Sequence, residues 1–248
     1  AVVMNKDGSR GIKKGFYDSF ELFSREAKRI NKPFWAFALS FNHWDYPVPT
    51  LADLRLQVYS DLAYGAQAIT YYSYWSLPFE FGWVKEDYEG PISRKGEKTA
   101  AYYAVQAMNR EIKALSKVFL NARMAWVAYT GKIPDGHRNG ESQLGYHLVA
   151  HTGEVPEGCT PLSEVQLPEA VKSVEVADNR TALVSYMEKG DDRFLVIVNQ
   201  DLNGPPMQIK MAGTRKTNIV TKDGTVIANN EQVQPVSAGD ALIYFWKK

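Results

Sequence analysis

Two apolar runs, FWAFAL at 34–39 and AITYYSYW at 68–75, flank a stretch of helical periodicity, and this arrangement constrains the fold more than any other feature. Each run is of strand length and lacks polar alternation, the pattern of strands covered on both faces in a parallel sheet. Between them Leu51, Leu54, Val58, Leu62 and Ala66 form an apolar stripe at helical spacing. Thr50 is a good N-cap with Asp53 as its capping-box partner, and Gly65 stands where a left-handed residue ends the helix at little cost. Strand, helix and strand make a βαβ unit, the repeat of parallel sheets and barrels. Ligands in such folds sit at the carboxyl ends of the strands, here residues 40–45 and 75–80.

The flanking sequence extends this pattern. Phe16, Phe20, Phe23, Ala27 and Ile30 mark one face of a helix that Asn31-Lys32-Pro33 stops. Residues 1–15, with Gly8, Gly11, Gly15 and several lysines, read as a surface loop. A third helix is expected over 99–119, with Val105, Met108, Ile112, Leu115 and Phe119 as its stripe. The stretch 76–97, rich in Trp, Tyr, Glu and Gly, reads as a long loop of the kind that is functional or mobile. Beyond Asn121 the pattern changes to short strands at 124–129, 144–151, 171–176, 182–187, 194–198, 207–211, 216–220 and 241–246. Breakers such as Lys189-Gly190-Asp191-Asp192 and Asn203-Gly204-Pro205-Pro206 separate them, which points to an antiparallel β-sandwich. The expected organisation is α/β over 1–121, as the last two βα units of a larger barrel, and all-β over 122–248. Two parallel strands alone leave both edges bare. Completion of the sheet is therefore expected from a missing N-terminal barrel segment or from another chain.

Composition excludes several classes. The 248 residues carry a net charge of +1 with the two signs dispersed, so no electrostatic footprint for nucleic acid is present. No apolar run approaches the ~18–20 residues of a membrane span, so no membrane partner is expected. Cys159 is the single cysteine, which rules out an internal disulfide, and His137, His147 and His151 lack metal-ligand spacing. No metal or organic cofactor is implied. A homo-oligomer, with the β-sandwich as the domain that mediates it, is a further expectation.

The order of several motifs resembles the end of a (β/α)8 glycoside hydrolase. The motifs are Pro33-Phe34, Leu62-Ala63-Tyr64-Gly65-Ala66, Lys95-Gly96-Glu97-Lys98-Thr99 and Asn109-Arg110-Glu111-Ile112. The likeness is to the family 42 β-galactosidases and their relatives in the same retaining clan. Arg193-Phe194-Leu195-Val196-Ile197-Val198-Asn199 and the segment 238–244 resemble the β domains that trail such barrels. The resemblance implies strands seven and eight of the barrel, a carbohydrate substrate and hydrolysis of O-glycosidic bonds, with the acid/base Glu in an earlier, missing part. It also puts Ala38 at the expected nucleophile position. A retaining mechanism needs two carboxyl groups ~5 Å apart, and a methyl group cannot serve. Three readings stay open: Asp45 or Glu80 serves from a nearby loop, the mechanism is a different one, or the chain binds sugar without cleaving it.

The candidate residues follow from these strand ends. Asp45 and Glu80 are the candidate catalytic carboxylates, with Asp45 equally suited to setting the turn at Tyr46-Pro47. Trp75 suits a platform for a sugar ring, whose C–H face stacks on an indole, or else an aromatic that caps the core. Asn42, His43 and Trp44 follow the first strand, where loops carry binding groups.

Overall fold

The computed structural model describes residues 2–13, 15–131, 140–141, 147–148 and 160–248. The chain opens with an antiparallel hairpin of β1 (Val2–Met4) and β2 (Arg10–Ile12). This replaces the expected surface loop over 1–15. Val2, Val3 and Ile12 are buried, and the turn at Gly8 (φ 84°) reverses the chain between them. Helix α1 (Phe16–Ile30) follows. Its buried side is Tyr17, Phe20 and Ser24, while Phe23 and Ile30 of the expected stripe are exposed.

β3 (Trp35–Leu39), α2 (Leu51–Ala63) and β4 (Ala68–Tyr72) come next, with β3 and β4 parallel and in register from Trp35↔Ala68 to Leu39↔Tyr72. The capping box forms: the Thr50 hydroxyl accepts from the Asp53 N–H, and the Asp53 carboxylate accepts from the Thr50 N–H at 2.8 Å. Gly65 has φ 94° and donates to the Leu62 carbonyl. α3 (Ala100–Ala114) and α4 (Ser116–Phe119) share the expected third helix, which is interrupted at Leu115.

The remaining strands are β5 (Arg123–Thr130), β6 (Gly140–Glu141), β7 (His147–Leu148), β8 (Val171–Val176), β9 (Ala182–Lys189), β10 (Asp192–Asn199) and β11 (Met207–Gly213). They are followed by β12 (Asn218–Val220), β13 (Val226–Ala228), β14 (Val233–Val236) and β15 (Ala241–Lys247). Of the strand expected at 144–151, β7 pairs with β6; the rest lies outside the described residues. One sheet has the order β13-β12-β15-β10-β9-β5 and a second β14-β11-β8, all antiparallel. They pack face to face through Val184, Leu195, Ile197 and Tyr244 against Met207, Ile209 and Val236.

The expectation of the last two βα units of a (β/α)8 barrel is overturned. Among the described residues the only parallel ladder is β3–β4; every other strand ladder is antiparallel, beside four helices. The physical reason lies in the faces of β3. Ala36 and Ala38 are buried, but Trp35 and Phe37 are 68% and 69% exposed. The run looks doubly covered because all its residues are apolar, yet its largest side chains lie on an open face.

α2 explains how the two halves join. It touches β3 on one side and β9 and β10 on the other, so nearly its whole circumference is buried. A single core runs from Tyr17, Leu54 and Tyr64 through Met124 and Tyr129 to Val196 and Ile243, across the boundary expected at 121. Polar links secure it. Arg55 pairs with Glu111, which also accepts from the Tyr59 hydroxyl at 2.8 Å, and the Ser185 hydroxyl donates to the Ala63 carbonyl at 2.7 Å. Among the described residues no helix is long and apolar enough to cross a membrane.

Candidate functional site

The loop after β3 is held in a tight bend. His43 and Tyr46 exchange backbone hydrogen bonds of 3.1 and 2.8 Å, and Trp44 between them adopts φ 49°. A left-handed conformation is costly for a bulky residue and persists only where its surroundings impose it. Here the Trp44 N–H donates to the Tyr88 hydroxyl at 2.8 Å, and the Trp44 and Trp83 rings stand 5.0 Å apart. On the other side the Met4 N–H donates to the Asp45 carbonyl at 2.8 Å, so the opening hairpin props the same loop.

Within the long stretch 76–97, one side chain ties together the part from Leu77 to Tyr88. Arg94 donates from Nε to the Leu77 carbonyl (2.9 Å), from Nη1 to Glu86 (3.2 Å), and from Nη2 to Lys85 (3.1 Å) and Tyr88 (2.8 Å). Its guanidinium also lies over the Phe79 ring at 4.1 Å. A guanidinium has five donors in a fixed fork, and here they fix backbone positions along the loop. The result is a small apolar cluster of Phe41, Val84 and Tyr88, with Trp44, Leu77 and Trp83 packed against it.

His43 sits at the centre of these rings, 4.7 Å from Trp44, 4.8 Å from Tyr46 and 6.1 Å from Tyr72. Burial holds its imidazole below the ordinary histidine range. Nδ1 is 3.1 Å from the Phe41 carbonyl, an acceptor, so Nδ1 carries the proton and Nε2 is left as an acceptor. Next to it is an open pocket of about 430 Å³ lined by Phe37, His43, Tyr46, Gln57 and Tyr72. Gln57 also accepts from the Leu39 N–H at 2.9 Å and so caps the outer edge of β3. Lys13 donates to the Tyr46 hydroxyl at 2.7 Å.

The residues singled out from sequence fall into different places. His43 lines the pocket. Trp44 packs behind it in the aromatic cluster. Asn42 is used within the protein: its side chain donates to the Asp87 carbonyl at 3.0 Å and accepts from the Glu89 N–H at 2.7 Å. Trp75 is 48% exposed, with its indole N–H donating to the Ser93 carbonyl at 3.0 Å. Asp45 is half-buried in the His43–Tyr46 bend, and Glu80 is exposed in a short 3-10 turn, Phe79–Phe81; neither lines the pocket. Ala38 is fully buried and contributes its methyl group to the lining of the pocket. His137, His151 and Cys159 lie outside the described residues. Sequence reasoning missed Phe37, Tyr46, Gln57, Tyr72 and Arg94. Gln57 carried a readable signal, since a polar residue one position before Val58 lies close to the apolar stripe of α2.

Among the described residues no group of three His, Cys, Asp or Glu side chains is placed to hold a metal ion. No family model, curated protein or solved structure matches the chain.

Proposed function

We propose that the chain is a carbohydrate-binding protein whose sugar site is the pocket between the carboxyl ends of β3 and β4. The observation that carries this is the lining of that pocket. Exposed faces of Phe37 and Tyr72 lie beside a neutral His43 and the Tyr46 hydroxyl. An aromatic face stacks on the C–H face of a pyranose, while an imidazole nitrogen and a phenol bind its hydroxyls.

Binding without cleavage is favoured by the positions of the carboxylates. Glycoside hydrolysis uses two carboxyl groups flanking the scissile bond, ~5–10 Å apart, and neither Asp45 nor Glu80 lines the pocket. The test is calorimetric titration with a panel of neutral oligosaccharides on the wild type, Phe37→Ala and Tyr72→Ala. The expected result is binding to at least one sugar that weakens about tenfold in each variant, a loss of ~1.4 kcal/mol. Absence of binding across the panel would sink the reading. Release of aglycone from aryl glycosides, abolished in Asp45→Ala or Glu80→Ala, would replace it with a hydrolase.

A further inference from the structure

The edge of β4 facing away from β3 points to a second binding surface, independent of the sugar reading. The Ser40 N–H donates to the Tyr72 carbonyl at 2.7 Å, so Tyr72 faces β3. By the alternation of a ladder, Ile69 and Tyr71 direct their N–H and C=O groups outward. No strand pairs with them among the described residues. Further along the same edge the chain supplies its own partner. The Ile92 N–H donates to the Tyr74 carbonyl at 3.1 Å, the Ser76 N–H donates to the Ile92 carbonyl at 2.8 Å, and the Trp75↔Ile92 bridge is parallel. That pairing stops at Ile92: the Gly90 N–H, next in the alternation, donates instead to the Ser76 hydroxyl at 2.9 Å.

Where the pairing stops, a groove of about 640 Å³ opens between β4 and α3. α3 runs antiparallel to β4. Gln67 donates to the Phe119 carbonyl and the Tyr71 hydroxyl to Asn109, while Tyr102 lines the other end with Tyr74. Arg110 and Lys113 therefore flank the Ile69 end, over a floor that includes Val105. Arg110 has one hydrogen bond, to Gln106 at 3.3 Å, and neither cation has an ion pair among the described residues.

We propose that this groove receives an extended peptide strand from a partner protein. The strand adds to β4, is apolar where it faces Val105 and Tyr102, and carries a carboxylate at the end beside Arg110 and Lys113. Main-chain bonds to an exposed edge supply affinity in this mode, and side-chain pockets supply specificity. The charges decide the occupant: a second copy pairing edge to edge about a two-fold axis brings its Tyr74–Tyr102 end against Arg110 and Lys113, and the groove lining holds no carboxylate to meet them. β4 suits this better than β3, whose outer edge is capped by Gln57 at Leu39.

The experiment selects peptides of about eight residues, long enough to span β4, from a random display library. Selection is run against the full chain and against the Arg110→Glu/Lys113→Glu double variant, and the enriched peptides are synthesised for anisotropy titration. The expected peptides alternate apolar residues and end in Asp or Glu. They bind the double variant at least about tenfold more weakly and weaken with salt. N-methylation of alternate peptide amides abolishes binding without touching the protein fold. Failure to enrich any peptide, equal affinity for both proteins, or indifference to N-methylation overturns the proposal. So does a concentration-dependent dimer in sedimentation that the double variant dissolves, because the occupant would then be a second copy.

Discussion

β3 and β10 are both continuous apolar strands, WAFAL and FLVIV at their centres, yet they sit in opposite situations. In β10 every residue from Arg193 to Asn199 is buried. Phe194, Val196 and Val198 face α2 and the helical side, and Leu195 and Ile197 face the second sheet. In β3 the two alanines are buried and the two large aromatics are open to solvent. The difference shows what an apolar run does and does not specify. It marks a strand of the core in both cases, but whether both faces are covered depends on which elements the rest of the chain can bring to it.

The sharpest way to break this comparison is to truncate one side chain in each strand. Ile197→Ala removes a fully buried side chain between two sheets and is expected to cost about 2–5 kcal/mol in urea unfolding. Phe37→Ala removes a larger side chain from an open face, and surface changes of that kind stay within ~0.5 kcal/mol. Equal losses in the two would remove the distinction between the strands.

Asp61 comes next, on the helix that separates the two regions. Its carboxylate is fully buried, neither oxygen has a hydrogen-bond partner among the described residues, and burial pushes its pKa well up. The unfolded carboxyl, with a pKa of ~3.9, loses its proton before the folded one does. Stability from this group is therefore complete below that value and declines as pH rises toward the folded pKa. Asp61→Asn removes the decline, so its advantage over the wild type should widen from pH 4 to pH 7 in denaturant titrations. A constant difference across that range would contradict the assignment.

Gly239 tests how closely the sandwich side meets α2. It has φ 69°, and a Cβ there would clash with the Ala52 carbonyl oxygen at the start of that helix. Gly239→Ala is expected to lower stability by more than ~1 kcal/mol, read as a shift in the urea midpoint at unchanged slope. An unchanged midpoint would mean that the two regions are not in close contact at that point. The smallest global effect belongs to Arg94→Ala. Stability should change by no more than ~0.5 kcal/mol, while proteolysis within 77–88 accelerates and Trp emission moves to the red. Unaltered proteolysis would show that the loop keeps its shape without that side chain.

Much of the secondary structure was legible because it depends on local chemistry. The Thr50–Asp53 capping box, the end of α2 at Gly65 and the start of α1 at Phe16 are fixed by neighbouring residues. The opening hairpin was not legible, because three-residue strands with glycine and lysine between them carry too little periodicity. The side of α1 that is buried is set by where Tyr64 and Tyr129 stand, which Phe23 and Ile30 cannot announce. At the candidate site His43 and Trp44 could be suspected from their place after a strand. Phe37 and Tyr72 were hidden within apolar runs, and the internal role of Asn42 depends on a loop 45 residues away.

The grip of Arg94 has a consequence for variation. It holds the loop through the carbonyl oxygens of Leu77, Lys85, Glu86 and Tyr88, groups that every amino acid possesses. The path from 77 to 88 is thus held in large part by a residue outside that span. The side chain at 86 can be exchanged while the backbone path persists, whereas Lys85 also lies over the Tyr88 ring at 5.8 Å. A related chain could display a different set of groups on this loop as long as the arginine and Asn42 stay.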